Sequence, residues 1–441
     1  MHLTIGRFPI RDVVFGSSTS LNDGIITLDK ASAIRFLRES DEHLTDLDIE
    51  IARPGEHKRI VPIKEAVEPR LRMDGRTLFP GVTGELVPCG EGSLHATEGV
   101  AILGVGKHWG SFGDGLVDMF GKGAPYSPFS QTINICLVAD TDEPDQREVQ
   151  KTNHAIRWAA HRFAEYLGAV LIDHVPDRVE TYALAPLLKR THEEMALPGV
   201  VLVMQAQSQM EVAGYNDLFY GWDMNHYLPS FVHPNTILDG GLISGSFMPS
   251  SSKWSTYDMQ NFPLIKELYA QHGKTLNFLG VILSNLNVSL NQKERSALRV
   301  AEIAQAIGAD GAIVTEEGYG NPDADYIRCI EVLEDAGIPT VGVSNECTGR
   351  DGRSQPLVVM SEKANALVST GDVSQLIELE PAETVIGELE ALARDGLSGG
   401  WAHDEILGPS VRDDGSIIME NNAMFCGDAI SGASVKTVKE F

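Results

Sequence analysis

From about residue 100 the sequence alternates short apolar runs with amphipathic helical stretches, and that rhythm restricts the chain to a mostly parallel sheet covered on both faces. "TINICLVAD" (132–140) precedes "DQREVQKTNHAIRWAAHRFAEYLG", whose spacing predicts a long amphipathic helix ending at Gly168, with "AVLIDHV" as the next strand. "GVVLVMQAQSQ" (199–209) is a further buried strand. The rhythm resumes with a helix closed by Gly273, then the strand "LNFLGVILSN", the helix "NQKERSALRVAEIAQAIG" and the strand "ADGAIVTEEG". A helix with Pro322 in its first turn and the strand "IPTVGVSNE" complete it. The expected class is α/β, with a β-rich N-terminal region (1–100), a first α/β domain (101–245) and a serine-rich connection (246–258). A doubly wound α/β domain (259–380) and a C-terminal helix and β/loop tail (381–441) follow.

Of 441 residues, 35 are Lys or Arg and 62 are Asp or Glu, a formal charge of -27. Such a surface repels phosphate backbones and anionic lipid, so neither nucleic acid nor membrane is an expected partner. The five cysteines form no CxxC pair, which argues against a disulfide framework and a zinc ribbon. With no signal-like N-terminus and no apolar run long enough to span a bilayer, a cytoplasmic protein is expected.

In open parallel sheets ligands bind beyond the carboxyl ends of the strands. There the second α/β region carries Ser284, Asn285 and Asn287; then Glu316, Glu317, Tyr319 and Asn321; then Ser344, Asn345, Glu346, Cys347, Thr348, Arg350 and Asp351. Read as a cleft, Glu316 or Glu317 moves protons, Arg350 holds a substrate carboxylate bidentately, and Asn285, Asn345 and Tyr319 orient it. Read blandly, the same groups cap helices and satisfy loop amides. Cys347 follows an acid that disfavours its thiolate, so metal ligation suits it better than nucleophilic attack. His226, His233 and His108 are candidate co-ligands, and a zinc or iron site from a loop histidine, Glu346 and Cys347 is one expectation. "LGVGKHWGSFGDG" runs into further glycines instead of a helix, and no GK[ST] occurs, so no nucleotide is expected.

"TIGRFPIRDVVFG", "IEIARPGEHKRIVPIKEAVEPRLRM", "GLVDMFGKGAPYSPFSQT", "GADGAIVTEEGYGNPDADY" and "GRDGRSQ" together resemble the component B alpha/beta subunit precursor of glycine, sarcosine and betaine reductases, with D-proline reductase more distant. The resemblance implies a subunit that binds a small or N-methylated amino acid and promotes reductive cleavage of its C–N bond. It also implies a separate selenocysteine-bearing subunit and a thiol-based electron supply. In that family a cysteine in mid-chain becomes a pyruvoyl group as the precursor is cut. The corresponding segment here, "SGSFMPSS" around Ser246, contains no cysteine, which excludes a cysteine-derived pyruvoyl. Ser246 or Ser250 has the hydroxyl for the same acyl shift, but an undivided chain with both serines as substrate contacts is the expectation.

Cys347, His108, His226 and His233 also depart from the family pattern and suggest a rebuilt site. The leading expectation is therefore an undivided, pyruvoyl-free, metal-assisted hydrolase or lyase that cleaves a C–N bond, acting as a homo-oligomer with one divalent metal, zinc first. Its alternatives are a component B subunit working with a seleno- or thiol-subunit, and a non-catalytic small-molecule binder.

Overall fold

The computed structural model describes residues 1–108, 114–142, 149–210, 216–245, 248–389, 403–404, 408–428 and 430–432, with backbone alone at 149–153, 403–404 and 408. The N-terminal half builds two large sheets beside a small one of Asp12–Phe15, Ile25–Leu28 and Ser20–Asn22. One places His2–Pro9 between Arg178–Ala183 and Gly92–Glu98, with Arg70–Arg72 at its edge. The other runs Gly115–Asp118, Lys58–Val67, Val100–Val105, Ile133–Thr141, Leu44–Ala52, with Thr384–Gly387 also on Lys58–Val67. Parallel and antiparallel pairs mix in both.

The third sheet is ordered Ser230–Val232, Asn277–Asn285, Gly199–Ala206, Gly311–Glu316, Thr340–Glu346, Leu367–Asp372. All its pairs are parallel except that of the Ser230–Val232 edge. Gly199–Ala206 lies in its middle although it precedes the serine-rich stretch, so one sheet spans both sides of that connection. Helices Leu290–Ala306 and Asn321–Asp335 cover one face, packing Val300, Tyr326 and Ile330 on Val201, Val203, Ile282 and Val314. The other face, with Leu202, Met204 and Val281, merges into the core shared with the N-terminal sheets. Adjacent strand residues alternate faces, which decides where each strand-end side chain goes.

The helix Val149–Gly168 ends at Gly168 as expected, but the strand expected directly after it is absent. The Gly168 φ of -58° is helical, and Ala169–Leu171 continues as a tight 3-10 turn; the strand is Arg178–Ala183, beyond Pro176. Glycine occupies the position because a Cβ there would lie 1.9 Å from the Arg70 carbonyl oxygen.

The serine-rich stretch is interior. Ser250–Ser252 form a 3-10 turn, Ser255 caps helix Thr256–Asn261 in a reciprocal capping box with Asp258, and Ser244, Ser250, Ser251, Ser252 and Ser255 are all buried. The Gly115–Asp118 strand passes so close that a Cβ on Gly115 would lie 1.8 Å from Ser250 Oγ and 2.9 Å from Phe425 Cβ. Gly115→Ala is therefore expected to cost about 1–3 kcal/mol by overpacking and to lower the thermal melting midpoint by a few degrees; an unchanged midpoint would contradict this packing.

Candidate active site

Around residues 244–258 three structural units meet. From the N-terminal sheet, Glu65 accepts hydrogen bonds from the Thr256 N–H (3.0 Å) and hydroxyl (3.1 Å). From the C-terminal tail, Asp428 Oδ2 accepts from the Ser251 and Ser252 hydroxyls, each at 2.7 Å. From the third sheet, the Gly318 N–H donates to Ser252 O (2.8 Å), and Asn345 Nδ2 donates to Ser252 Oγ (2.8 Å). Specific bonds from all three units thus hold this segment.

Consecutive side chains split Glu316 and Glu317 onto opposite faces. Glu316 faces the helix layer in a row across four strands: Ser284 and Glu316 flank Gln205 in the strand register, and Ser344 Oγ donates to Glu316 Oε1 at 2.9 Å. Burial, with Asp323 and Asp325 nearby, pushes the Glu316 carboxyl well above its ordinary range. Glu317 faces the serine-rich segment. Its Oε1 accepts from the Trp254 N–H (2.9 Å) and its Oε2 from the Gln207 N–H (3.2 Å). Asp217 bonds to it directly, also accepts from Gln207 N–H (3.2 Å), and takes the Gly245 N–H on its other oxygen. Burial raises both carboxyls, Asp217 to about 6, and a direct hydrogen bond between two carboxyl groups requires one shared proton. The pair thus carries one negative charge over a shared proton.

Cations line the same segment. Lys253 Nζ donates to Gly245 O (3.2 Å) and Lys64 O (3.4 Å) and lies 5.4 Å from the Phe425 ring centroid. Arg157 donates to Ser244 O, and its guanidinium is 3.7 Å from Glu65. His161 Nδ1 is 2.7 Å from Arg157 O and its Nε2 is 3.1 Å from Thr256 Oγ1; burial lowers its pKa to about 4, so it is neutral near pH 7. None of Asp217, Gln207, Lys253, Arg157, Glu65 or Asp428 stood out in the sequence. Lys253 alone had a signal, a single lysine inside the serine run.

Ser250 Oγ has no hydrogen-bond partner among the described residues, and neither has either polar atom of the Gln207 amide. Ser246 lies outside the described residues. Asn285 bonds to Asn287 (3.2 Å) and Ser296 (3.0 Å), away from the segment. Tyr319 bonds to Asn422 near Cys347. Arg350 Nε donates to Glu420 at 3.0 Å, so its guanidinium is engaged by a tail carboxylate.

The expected zinc set does not assemble. His108 follows the Val100–Val105 strand and lies 3.7 Å from Asp140. His226 ends a 3-10 turn near Trp222. His233 caps helix Pro234–Leu238 through Nδ1, held neutral by burial. Glu346 ends a third-sheet strand, and Cys347 meets Ser374 at 3.6 Å. Among the described residues no three His, Cys, Asp or Glu side chains form a metal-holding group. Residues joined in the sequence reading by chemical type are separated by the sheets that carry them.

The raised Asp217 pKa has a signed consequence. A carboxyl raised from 3.8 to about 6 contributes stability that is full below pH 4 and declines as the pH rises to about 6, at most about 3 kcal/mol. Asp217→Asn removes that titration, so its melting temperature relative to the parent should be more favourable at pH 7 than at pH 4.5. A flat or opposite trend would show that folding does not raise the Asp217 carboxyl.

The whole chain, residues 1–439, matches the family model of glycine/sarcosine/betaine reductase component B subunits. It is 61% identical to the betaine reductase complex component B subunit alpha of Peptoclostridium acidaminophilum, with 100% of each chain covered. It is 36% identical to the sarcosine reductase complex component B subunit alpha of the same organism, again over 100% of both. It is also 36% identical to the glycine reductase complex component B subunits alpha and beta of Acetoanaerobium sticklandii, over 100% of each. No solved structure matches the chain. Its full-length match to the family model and to these relatives places this chain in the family of glycine, sarcosine and betaine reductase component B subunits.

Proposed function

We propose that this chain is the substrate-binding component B subunit of a reductase for N-methylated glycine, with the trimethylated zwitterion betaine as the favoured substrate. The full-length 61% identity to a betaine reductase subunit carries this reading. It replaces the metal-assisted hydrolase or lyase expected from the sequence, because the family is one of reductase complex subunits and the supposed zinc ligands are dispersed.

Chemistry supports the same choice. A pyruvoyl carbonyl activates an amine by condensing with it, which requires an N–H, and a trimethylated nitrogen has none. A segment without cysteine, and a chain without a pyruvoyl group, therefore suit a quaternary substrate. The residues present do not fit cysteine-derived processing, and Pro249 O accepts from Ser252 N–H (3.0 Å), holding the bond before Ser250 inside an intact turn. The betaine and sarcosine relatives carry a single-subunit name, whereas the glycine relative's name covers two subunits.

In the proposed step a selenolate or thiolate of the second subunit attacks the methylene carbon. The new C–Se or C–S bond forms as the C–N pair departs on nitrogen, releasing neutral trimethylamine that needs no proton. This chain would bind and orient the zwitterion and exclude water. Reconstitution with the selenoprotein subunit and a dithiol should release trimethylamine from betaine faster than methylamine from sarcosine or ammonia from glycine. Preferential ammonia release, or turnover by the isolated chain with added metal, would contradict the proposal.

A further inference from the structure

Three lysines of the described chain are buried: Lys64, Lys253 and Lys293. Two have carboxylate partners, Lys64 with Asp114 and Lys293 with Asp325. Lys253, 2% exposed, has none among the described residues. Its ammonium carries three donors and meets two carbonyl oxygens at 3.2 and 3.4 Å and the face of Phe425. Glu317 is felt by this ammonium only at longer range, and an ammonium taken out of water with no carboxylate in hydrogen-bond contact is costly unless an anion joins it.

Two further polar groups around the serine-rich segment would serve a bound anion. The Gln207 side-chain amide is buried with neither its NH2 nor its carbonyl engaged among the described residues, and the buried Ser250 hydroxyl is likewise unpartnered. The Gln207 backbone N–H already belongs to the Asp217–Glu317 pair. Gly245 connects the two kinds of charge: its carbonyl accepts from Lys253 and its N–H donates to Asp217. A positive pole and a negative pole therefore meet the same residue.

We infer that Lys253 and the Asp217–Glu317 pair are the two poles of a zwitterion site, Lys253 holding the substrate carboxylate and the acid pair facing its cationic nitrogen. This rests on the proposed function and sharpens it. Gln207 Nε2 and the Ser250 hydroxyl add neutral donors to the carboxylate end, while one shared negative charge balances a fixed cation. The arrangement requires both ends of the ligand. A quaternary ammonium without a carboxylate leaves Lys253 unneutralised and gains little, because the site's buried polar group stays unpaired.

The test is isothermal titration of the full chain with two probes that share the trimethylammonium head, betaine and choline, whose hydroxyl replaces the carboxylate. The wild type should bind betaine at least 100-fold more tightly than choline. Lys253→Met should weaken betaine at least 100-fold, to the level of choline, with choline itself changed less than threefold; Lys253→Arg should stay within about tenfold of wild type. Equal loss of betaine and choline binding in Lys253→Met at an unchanged melting temperature would overturn the inference, as would unchanged betaine binding. If that variant does not fold, the wild-type ratio and Lys253→Arg decide: no preference for betaine over choline contradicts the site. Glycine and sarcosine, run against methylamine, separate this from the substrate reading. If the wild type prefers glycine, yet Lys253 variants lose carboxylate-bearing ligands selectively, the proposed substrate fails while the Lys253 assignment stands. Failure of the wild type to bind any carboxylate-bearing probe overturns both.

Discussion

A stretch rich in serine is cheap to leave in water and expensive to bury, because each hydroxyl and peptide group taken from solvent needs a replacement partner. Residues 244–245, 250–256 and Asp258 are buried nonetheless, and much of the molecule is arranged to meet that demand. Glu65 of the N-terminal half holds Thr256, Asp428 of the tail holds Ser251 and Ser252, and Glu317 and Gly318 of the third sheet hold Trp254 and Ser252. Each bond joins parts of the chain far apart in sequence. The segment is the joint on which the three units are registered, so a cut within it would loosen all of them at once.

Charge follows the same logic. The chain is strongly acidic overall, and several of its interior cations stand against carboxylates, as in the Arg59–Asp118 pair and in Glu68 between Arg7 and Arg70. Such pairs contribute little net stability over an apolar core, but loss of one partner is costly, which gives them value in fixing a unique arrangement. Against that background two departures stand together: a carboxyl pair that retains a proton, and a lysine met only by carbonyls and a ring. Both adjoin Gly245. Local charge balance is incomplete where a zwitterion would complete it.

The sheet and its helices were legible because hydrophobic period and helix punctuation act locally. That strand ends carry polar groups was legible too, and Glu317 and Asn345 bond to the serine-rich segment. Sequence proximity misled where geometry alternates: Glu316 and Glu317 are neighbours in the chain and lie on opposite faces of the sheet. The supposed metal ligands were grouped by chemical type, which carries no distance information; His108, His233 and Cys347 belong to separate parts of the fold. Lys253 drew no reading from the sequence, and Asp428 lay in a tail read only as β and loop. Their burial depends on contacts up to 189 residues away in sequence, beyond any local pattern.

The central claim is that the serine-rich segment survives as an unbroken wall of the site and makes no carbonyl group. The mass of the purified chain under denaturing conditions tests it directly. One species at the full 47.9 kDa, with no mass change after treatment with a carbonyl-trapping hydrazine, is the expected result. Two fragments dividing near residue 246, the second blocked at its N-terminus and shifted in mass by the hydrazine, would contradict it.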